Sequence, residues 1–168
     1  MLFNTYSLYP DENIAVMHIK DTEIIIDMEN FEKVKNYKWI LSNGKPVRYW
    51  TENYKCYTEP LYKTIIEVEA GLTADYINGN RLDLRKENLR VCTLKERCRH
   101  HKLFKNNTTG KSGVSRSKAV KYIISITIDN SETSDKERLM THCDNLEKAI
   151  EIRKKLENIY YKDFAPIV

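Results

Sequence analysis

The residue types that could perform chemistry concentrate in the middle of the chain. Residues 81–121 carry 13 Lys/Arg and 3 Asp/Glu, a net charge of +10. Residues 1–80 carry 8 and 12, and residues 122–168 carry 7 and 9, so both flanks are acidic. A basic stretch inside an otherwise acidic chain indicates contact with a polyanion such as DNA. The alternative is a solvated basic face without a ligand.

A carboxylate and a phenol lie just before this basic stretch. Asp75 and Tyr76 are followed by Asn78-Gly79, a strong turn signal, and residues 88–92 then have the composition of a strand. Thr93 and Glu96 form a capping box, which predicts a helix over residues 94–104. The pattern therefore predicts a strand–loop–strand–helix unit of about thirty residues.

The segment from Asp75 to Thr93, DYINGNRLDLRKENLRVCT, resembles the core of phage-type HNH homing endonucleases. The region from Ile26-Asp27 to Trp39 resembles the opening of these proteins. Residues from Asn106 onward resemble the Apetala/ethylene-response-factor type of DNA-binding domain that is often attached to them, three strands and a helix whose sheet enters the major groove. The resemblance implies a phage or mobile-element protein that acts in the cytoplasm of a bacterial host.

The resemblance assigns Asp75, Tyr76, Asn88 and Arg97 to the positions of the catalytic site. In the family, a His where Tyr76 stands activates water, and the Asp and a helix side chain hold one divalent ion. A phenol, with a pKa of about 10, is a poor base at neutral pH. The guanidinium of Arg97 cannot ligate Mg²⁺. We therefore expect no cleavage and no cofactor; if the protein does cleave, Asp75 and His101 would hold Mg²⁺.

Binding of double-stranded DNA would rest on the basic residues of the predicted central helix and of the first hairpin that follows it. These candidates are Arg97, Arg99, His100, His101, Lys102, Lys105, Lys111, Arg116, Lys118 and Lys121, together with the aromatic Tyr122. The resemblance implies that sheet residues read base edges, which makes Arg116 and Tyr122 the candidates for that role. Tyr122 is equally a candidate core residue.

The predicted fold class is α+β, with an N-terminal strand/helix module (1–70), an HNH-like ββα unit (71–105), and a three-stranded antiparallel sheet with one helix (106–168). Outside the central unit, alternating and helical patterns predict strands at 14–18, 23–27, 38–41, 47–51, 114–117, 122–128 and 138–142, and helices at 28–37, 61–68 and 146–161. The last helix is predicted to bury a stripe of Ala149, Ile152, Leu156, Ile159 and Tyr160.

Composition excludes several other classes. No apolar run approaches the roughly 20 residues of a membrane helix, and the pattern of the first residues predicts no signal peptide. Four cysteines without a CxxC pair argue against a disulfide scaffold or a zinc finger. Three functions remain open: a non-cleaving DNA-binding protein, an active HNH nicking endonuclease with a rebuilt site, and a phage-encoded, anti-CRISPR-like protein inhibitor of a host defence nuclease.

Overall fold

The computed structural model describes residues 3–129 and 136–167. The chain divides into two compact units, residues 1–94 and 95–168. The described elements of the first unit are β1 (Thr5–Tyr9), β2 (Ile14–Ile19), β3 (Thr22–Asp27), α1 (Met28–Val34), β4 (Ile40–Ser42), β5 (Lys45–Glu52), β6 (Lys55–Pro60), α2 (Tyr62–Ile65), β7 (Leu72–Tyr76) and β8 (Leu89–Thr93). They are followed by α3 (Leu94–Arg99), β9 (Val114–Ser117), β10 (Lys121–Asp129), β11 (Lys136–Cys143) and α4 (Leu146–Tyr160).

The first unit contains two three-stranded antiparallel sheets, β1-β2-β3 and β4-β5-β6, and the β7–β8 hairpin. Strands β2 and β3 place alternate apolar side chains on one face, as their period of two requires. Met17, Ile24 and Ile26 are fully buried there and share one core with Trp39 and Leu84.

The β7–β8 hairpin belongs to the same core as the N-terminal sheet. Ile25 of β3 forms two backbone hydrogen bonds with the connection between β7 and β8, donating to Leu82 O (2.8 Å) and accepting from Leu84 N (2.8 Å). Tyr76 and Leu89 of the hairpin are buried in that core. The boundary between compact units thus falls inside the predicted 71–105 segment, while the division into three functional segments stays a prediction.

The second unit is a three-stranded antiparallel sheet, in the order β11-β10-β9, with α4 packed on one face. Val114, Ile124 and Ala149 form the centre of its core, and Ile126 is also buried. The α+β class is confirmed, and the strands predicted at 114–117, 122–128 and 138–142 correspond to β9, β10 and β11. None of the helices formed by the described residues is long and apolar enough to cross a membrane.

Three predicted helices are shorter than expected. Helix α2 covers only Tyr62–Ile65 rather than residues 61–68. Helix α1 ends at Val34 rather than residue 37. Helix α3 ends at Arg99 rather than residue 104, because the backbone beyond it pairs with the C-terminal segment: Ile167 N donates to His101 O (3.0 Å). The patterns also failed to predict β1 and β6, whose side chains are mostly exposed.

The predicted apolar stripe of α4 is partly wrong. Ile159 and Tyr160 are 63% and 41% exposed, whereas the buried residues of the helix are Ala149, Arg153 and Glu157. The helix therefore turns two charged residues inward, and their charges are compensated by pairing with each other. Asn145 caps the helix by accepting a hydrogen bond from Lys148 N (3.0 Å).

Candidate nucleic-acid interface

The side chains at the predicted catalytic positions of β7 are buried and already have roles in the first unit. Asp75, 5% exposed, lies opposite Arg90 of β8. Its Oδ2 accepts hydrogen bonds from Arg90 Nε (2.9 Å) and Nη2 (2.7 Å). Tyr76, also 5% exposed, belongs to the hydrophobic core. Asp75 is thus paired with a cation in its own hairpin, and the ring of Tyr76 fills apolar space.

Asn88 holds the loop between β7 and β8. Its Oδ1 accepts from Asn78 N (2.8 Å), and its Nδ2 donates to Asp83 O (2.7 Å). Gly79, at φ +69°, closes the turn by donating its N–H to Tyr76 O (2.8 Å). Asn88 therefore links the two parts of the loop through its side-chain amide.

A second carboxylate fixes the far end of the same loop. Asp83 accepts bidentate hydrogen bonds from Arg85, at 2.9 Å for Nε and 2.8 Å for Nη2, and a further one from Asn78 Nδ2 (3.0 Å). The bonds from Arg85 are the main cause that holds the pKa of Asp83 below its ordinary value. The loop is therefore fixed by ion pairs and amides.

In the second unit, two basic side chains of α3 lie close to a carboxylate of the same unit. Arg99 forms an ion pair with Asp129, which Lys95 also approaches (3.6 Å between Nζ and Oδ1). The guanidinium of Arg99 lies 4.8 Å from the ring centre of Tyr161. Arg99 was predicted to contact DNA, but its charge is already balanced by Asp129. Arg97 and His100 are half-buried.

His101 is held by its own segment. Its Nδ1 lies 2.9 Å from Arg99 O, which makes Nδ1 the protonated nitrogen, and its Nε2 lies 3.3 Å from Ser112 Oγ. Both ring nitrogens are therefore engaged. A Mg²⁺ ion does not fit either Asp75, which is bonded to Arg90, or this imidazole. Among residues 3–129 and 136–167, no group of three His, Cys, Asp or Glu side chains could hold a metal ion.

Lys111 lies inside the second unit and not on its predicted DNA-binding surface. It is 3% exposed, and its Nζ is 2.5 Å from Oε2 of Glu157, which is 2% exposed. Arg153 donates from Nε to the other oxygen of Glu157 (2.8 Å) and from Nη1 to Ser125 O. No hydrophobic period predicts the burial of Lys111, because this residue lies in a loop.

The two faces of the β9–β11 sheet differ in composition. Arg116 lies directly opposite Tyr122, which packs against the core under α4, so both belong to the helix-covered face. Arg116 is exposed at the border of that face, where it lines a shallow cleft of about 420 Å³ with Lys121. The role of Arg116 and Tyr122 in reading base edges stays a prediction, and the packing of Tyr122 agrees with the alternative that it is a core residue.

The open face of the sheet carries residues that the sequence analysis overlooked. Strand register places Lys136, Arg138, Met140 and His142 of β11 on it, and all four are exposed. Arg138 Nη2 donates to Ser125 Oγ (3.1 Å), which holds the guanidinium over the face. The alternation of side chains along β11 could have predicted these residues. Leu139, between Arg138 and Met140, faces the helix side, so its neighbours must face the open side.

The remaining predicted cations stay on the surface of the second unit. Lys102 and Lys105 follow α3, and Lys118 and Lys121 flank the tight turn between β9 and β10; all four are exposed. Lys121 adopts a φ of +56° at a bulge in the β10–β11 ladder. These lysines can reach phosphates without breaking an ion pair that the described residues form among themselves.

No protein-family model, curated protein or solved structure matches the chain.

Proposed function

We propose that this chain is a DNA-binding protein of nuclease ancestry that does not cleave DNA. The observation that carries the proposal is the open face of the β9–β11 sheet, where Arg138 and His142 stand among serine hydroxyls. A groove-reading surface needs cations for phosphates and a rigid donor for base edges. Arg138, oriented by Ser125, supplies such a donor.

The β10–β11 pair is the kind of two-stranded element that a duplex groove admits. The major groove is about 12 Å wide and admits strands of a β-sheet. Short side chains on β9 and β10, such as Ser115 and Ser125, let the sheet approach closely, while Arg138 projects further. An arginine that contacts guanine O6 and N7 bidentately contributes about 1–3 kcal/mol of discrimination. The exposed lysines of the β9–β10 turn would then contact the flanking phosphates.

The proposed absence of cleavage is supported by two side chains of the first unit. Hydrolysis of a phosphodiester by a metal-dependent site needs a free carboxylate and a general base. Asp75 is committed to Arg90, and Tyr76 is buried in the core. Neither group is available for the step that the resemblance would assign to it.

One experiment separates the candidate functions. Supercoiled plasmid is incubated with the protein and either Mg²⁺ or Mn²⁺, and nicking and gel retardation are both measured. We expect retardation without nicking. Nicking would establish an endonuclease instead, and the absence of both would contradict DNA binding and favour an inhibitor that contacts a protein.

A pair of arginine variants tests the surface itself. Arg138→Gln, on the open face, should lose about 1–3 kcal/mol of binding and relax the preference between sequences. Arg116→Gln, on the helix-covered face, should at most weaken binding to all sequences uniformly. If Arg116→Gln alone relaxed sequence preference, the open face would not be the reading surface.

A further inference from the structure

A row of flat groups lies along one face of the β4-β5-β6 sheet in the first unit. Trp50 of β5 is directly opposite Tyr57 of β6, so both project from the same face. Their rings are stacked, with centroids 5.4 Å apart and an interplanar angle of 16°. Arg48, two residues before Trp50, lies on the same face, and its guanidinium is 5.2 Å from the Trp50 ring.

Arg48 is held in this row by Tyr37 and Glu59 in addition to Trp50. Tyr37 covers it with a ring centre 3.9 Å away, and Glu59 accepts a hydrogen bond from Nε at 2.7 Å. Burial acts to lower the pKa of Arg48, but hydrogen bonds with Tyr37 and Glu59 outweigh it, so the pKa is raised and the guanidinium stays charged. The row is therefore preorganised, and little side-chain freedom would be lost on binding.

The row borders a cleft. It has a volume of about 410 Å³ and is lined by Tyr37, Lys38, Arg48, Tyr49 and Trp50, within the usual range of about 300–1,000 Å³ for ligand sites. Tyr37 and Trp50, on the side of the row, are 42% and 41% exposed. Because these aromatic rings are only partly covered, part of their surface is available to a ligand.

The lining selects a flat, anionic ligand. The exposed rings favour a planar ligand. Lys38 and Arg48 carry two positive charges against the one negative charge of Glu59, so the net charge around the cleft is positive. A cationic ligand such as a methylated amine is disfavoured, because Arg48 already occupies the space between Tyr37 and Trp50. Nucleobases stack on aromatic rings and on arginine planes, and a neighbouring lysine suits their phosphates.

We propose that this cleft binds an unpaired nucleobase, stacked on Trp50, with its phosphate against Lys38. The ligand could be part of a single strand or a free nucleotide, since both present the same chemistry. This activity goes beyond duplex binding by the second unit and depends on different residues, so either can fail without the other.

The test measures binding of oligothymidine, of an abasic strand of equal length, of thymidine monophosphate, and of a duplex. We expect oligothymidine to bind more tightly than the abasic strand. Trp50→Ala should weaken oligothymidine binding between about 5-fold and about 150-fold, the range for loss of one stacked base, and should leave duplex binding unchanged. Binding of the monophosphate would identify a free nucleotide as sufficient; binding of the strand alone would identify the polymer.

Two further variants separate stacking from folding. Tyr9→Ala removes another exposed aromatic of the first unit, 45% exposed, and should leave oligothymidine binding unchanged. Trp50→Phe keeps a ring, so it should bind, but without the ligand-induced quenching of tryptophan fluorescence that the wild type shows. The other tryptophan, Trp39, is 1% exposed and out of reach of a ligand.

Equal affinity for oligothymidine and the abasic strand would overturn the proposal. So would unchanged oligothymidine binding in Trp50→Ala, or equal quenching in wild type and Trp50→Phe.

Discussion

Glu157 is the residue on which the interior charge balance of the second unit depends. Its two oxygens hold Lys111 and Arg153, and all three side chains are at most 4% exposed. Such a cluster is weak evidence for stability as a whole, but removal of one member leaves uncompensated buried charge. The cluster therefore fixes where the 106–113 loop and α4 meet.

The variant Glu157→Gln tests this at the residue scale. It should lower the free energy of unfolding by about 3–5 kcal/mol, because two cations stay buried without their anion. Urea denaturation followed by circular dichroism gives the value. The matched control is Glu151→Gln on the same helix, whose pair with Lys155 is exposed and should change little. Equal effects of the two variants would contradict the assigned role of Glu157.

A second residue-scale prediction concerns pH and the Asp83–Arg85 pair. Because the pKa of Asp83 is lowered in the folded protein, the pair stabilises the fold above the unfolded pKa. That contribution disappears as the pH falls through the lowered value. Arg85→Gln should therefore be less stable than wild type at pH 7, and the gap should shrink below about pH 4.

Urea unfolding at several pH values measures this gap, with Arg81→Gln, an exposed loop cation, as the control. A gap that stays constant down to strongly acidic pH would show that Arg85 does not act through the Asp83 carboxylate.

At the scale of elements, Gly113, just before β9, lies against both Arg153 of α4 and the backbone of β10. A side chain there would place its Cβ 2.6 Å from both Arg153 Cζ and Ser125 O. The residue also has a φ of +77°, which disfavours other residues. The glycine thus lets the buried arginine reach the β10 backbone.

Gly113→Ala should be clearly destabilising, and Gly110→Ala provides the comparison. Gly110 has a similar φ of +74° but nothing within 4 Å of its added Cβ. Gly110→Ala should lower the free energy of unfolding only by the cost of a left-handed backbone for alanine, about 1–2 kcal/mol. Gly113→Ala should lower it by more, because its Cβ also meets Arg153 and Ser125. Thermal denaturation of both variants checks the order. Equal losses would indicate that Arg153 moves aside without cost.

Element types were largely predictable from the sequence, and element boundaries and buried charges were not. The alternation of Ile124 and Ile126 with polar residues identified β10 because one face of the sheet is buried. The inward side of α4 was missed because Arg153 and Glu157 compensate each other, a pairing that hydrophobic periodicity does not contain. Helix α3 was predicted too long, because its end depends on pairing with distant Ile167.

The candidate site was predicted less well than the fold. Lys102, Lys105, Lys118 and Lys121 are on the surface as expected. Lys111 and Arg99 are not available, since their anions Glu157 and Asp129 come from elements far along the chain. Arg138 and the cleft beside Trp50 were overlooked, because each depends on strand register and not on local composition.

At the scale of the whole molecule, charge is segregated along the chain. The net charge of +4 conceals a basic stretch of +10 over residues 81–121. Part of that positive charge is balanced by ion pairs within the protein, which involve Arg85, Arg90 and Lys111. Because the surface lysines remain, DNA affinity should depend on ion release and therefore on salt concentration.

The most direct measurement of the central claim is the salt dependence of duplex affinity. With about five cations at phosphates, log K should fall against log salt with a slope of about −4 to −5. Lys118→Gln with Lys121→Gln should reduce its magnitude by about 2, whereas Lys148→Gln with Lys154→Gln, on the exposed side of α4, should leave it unchanged. A flat salt response, or equal slopes for the two double variants, would contradict DNA binding through this sheet.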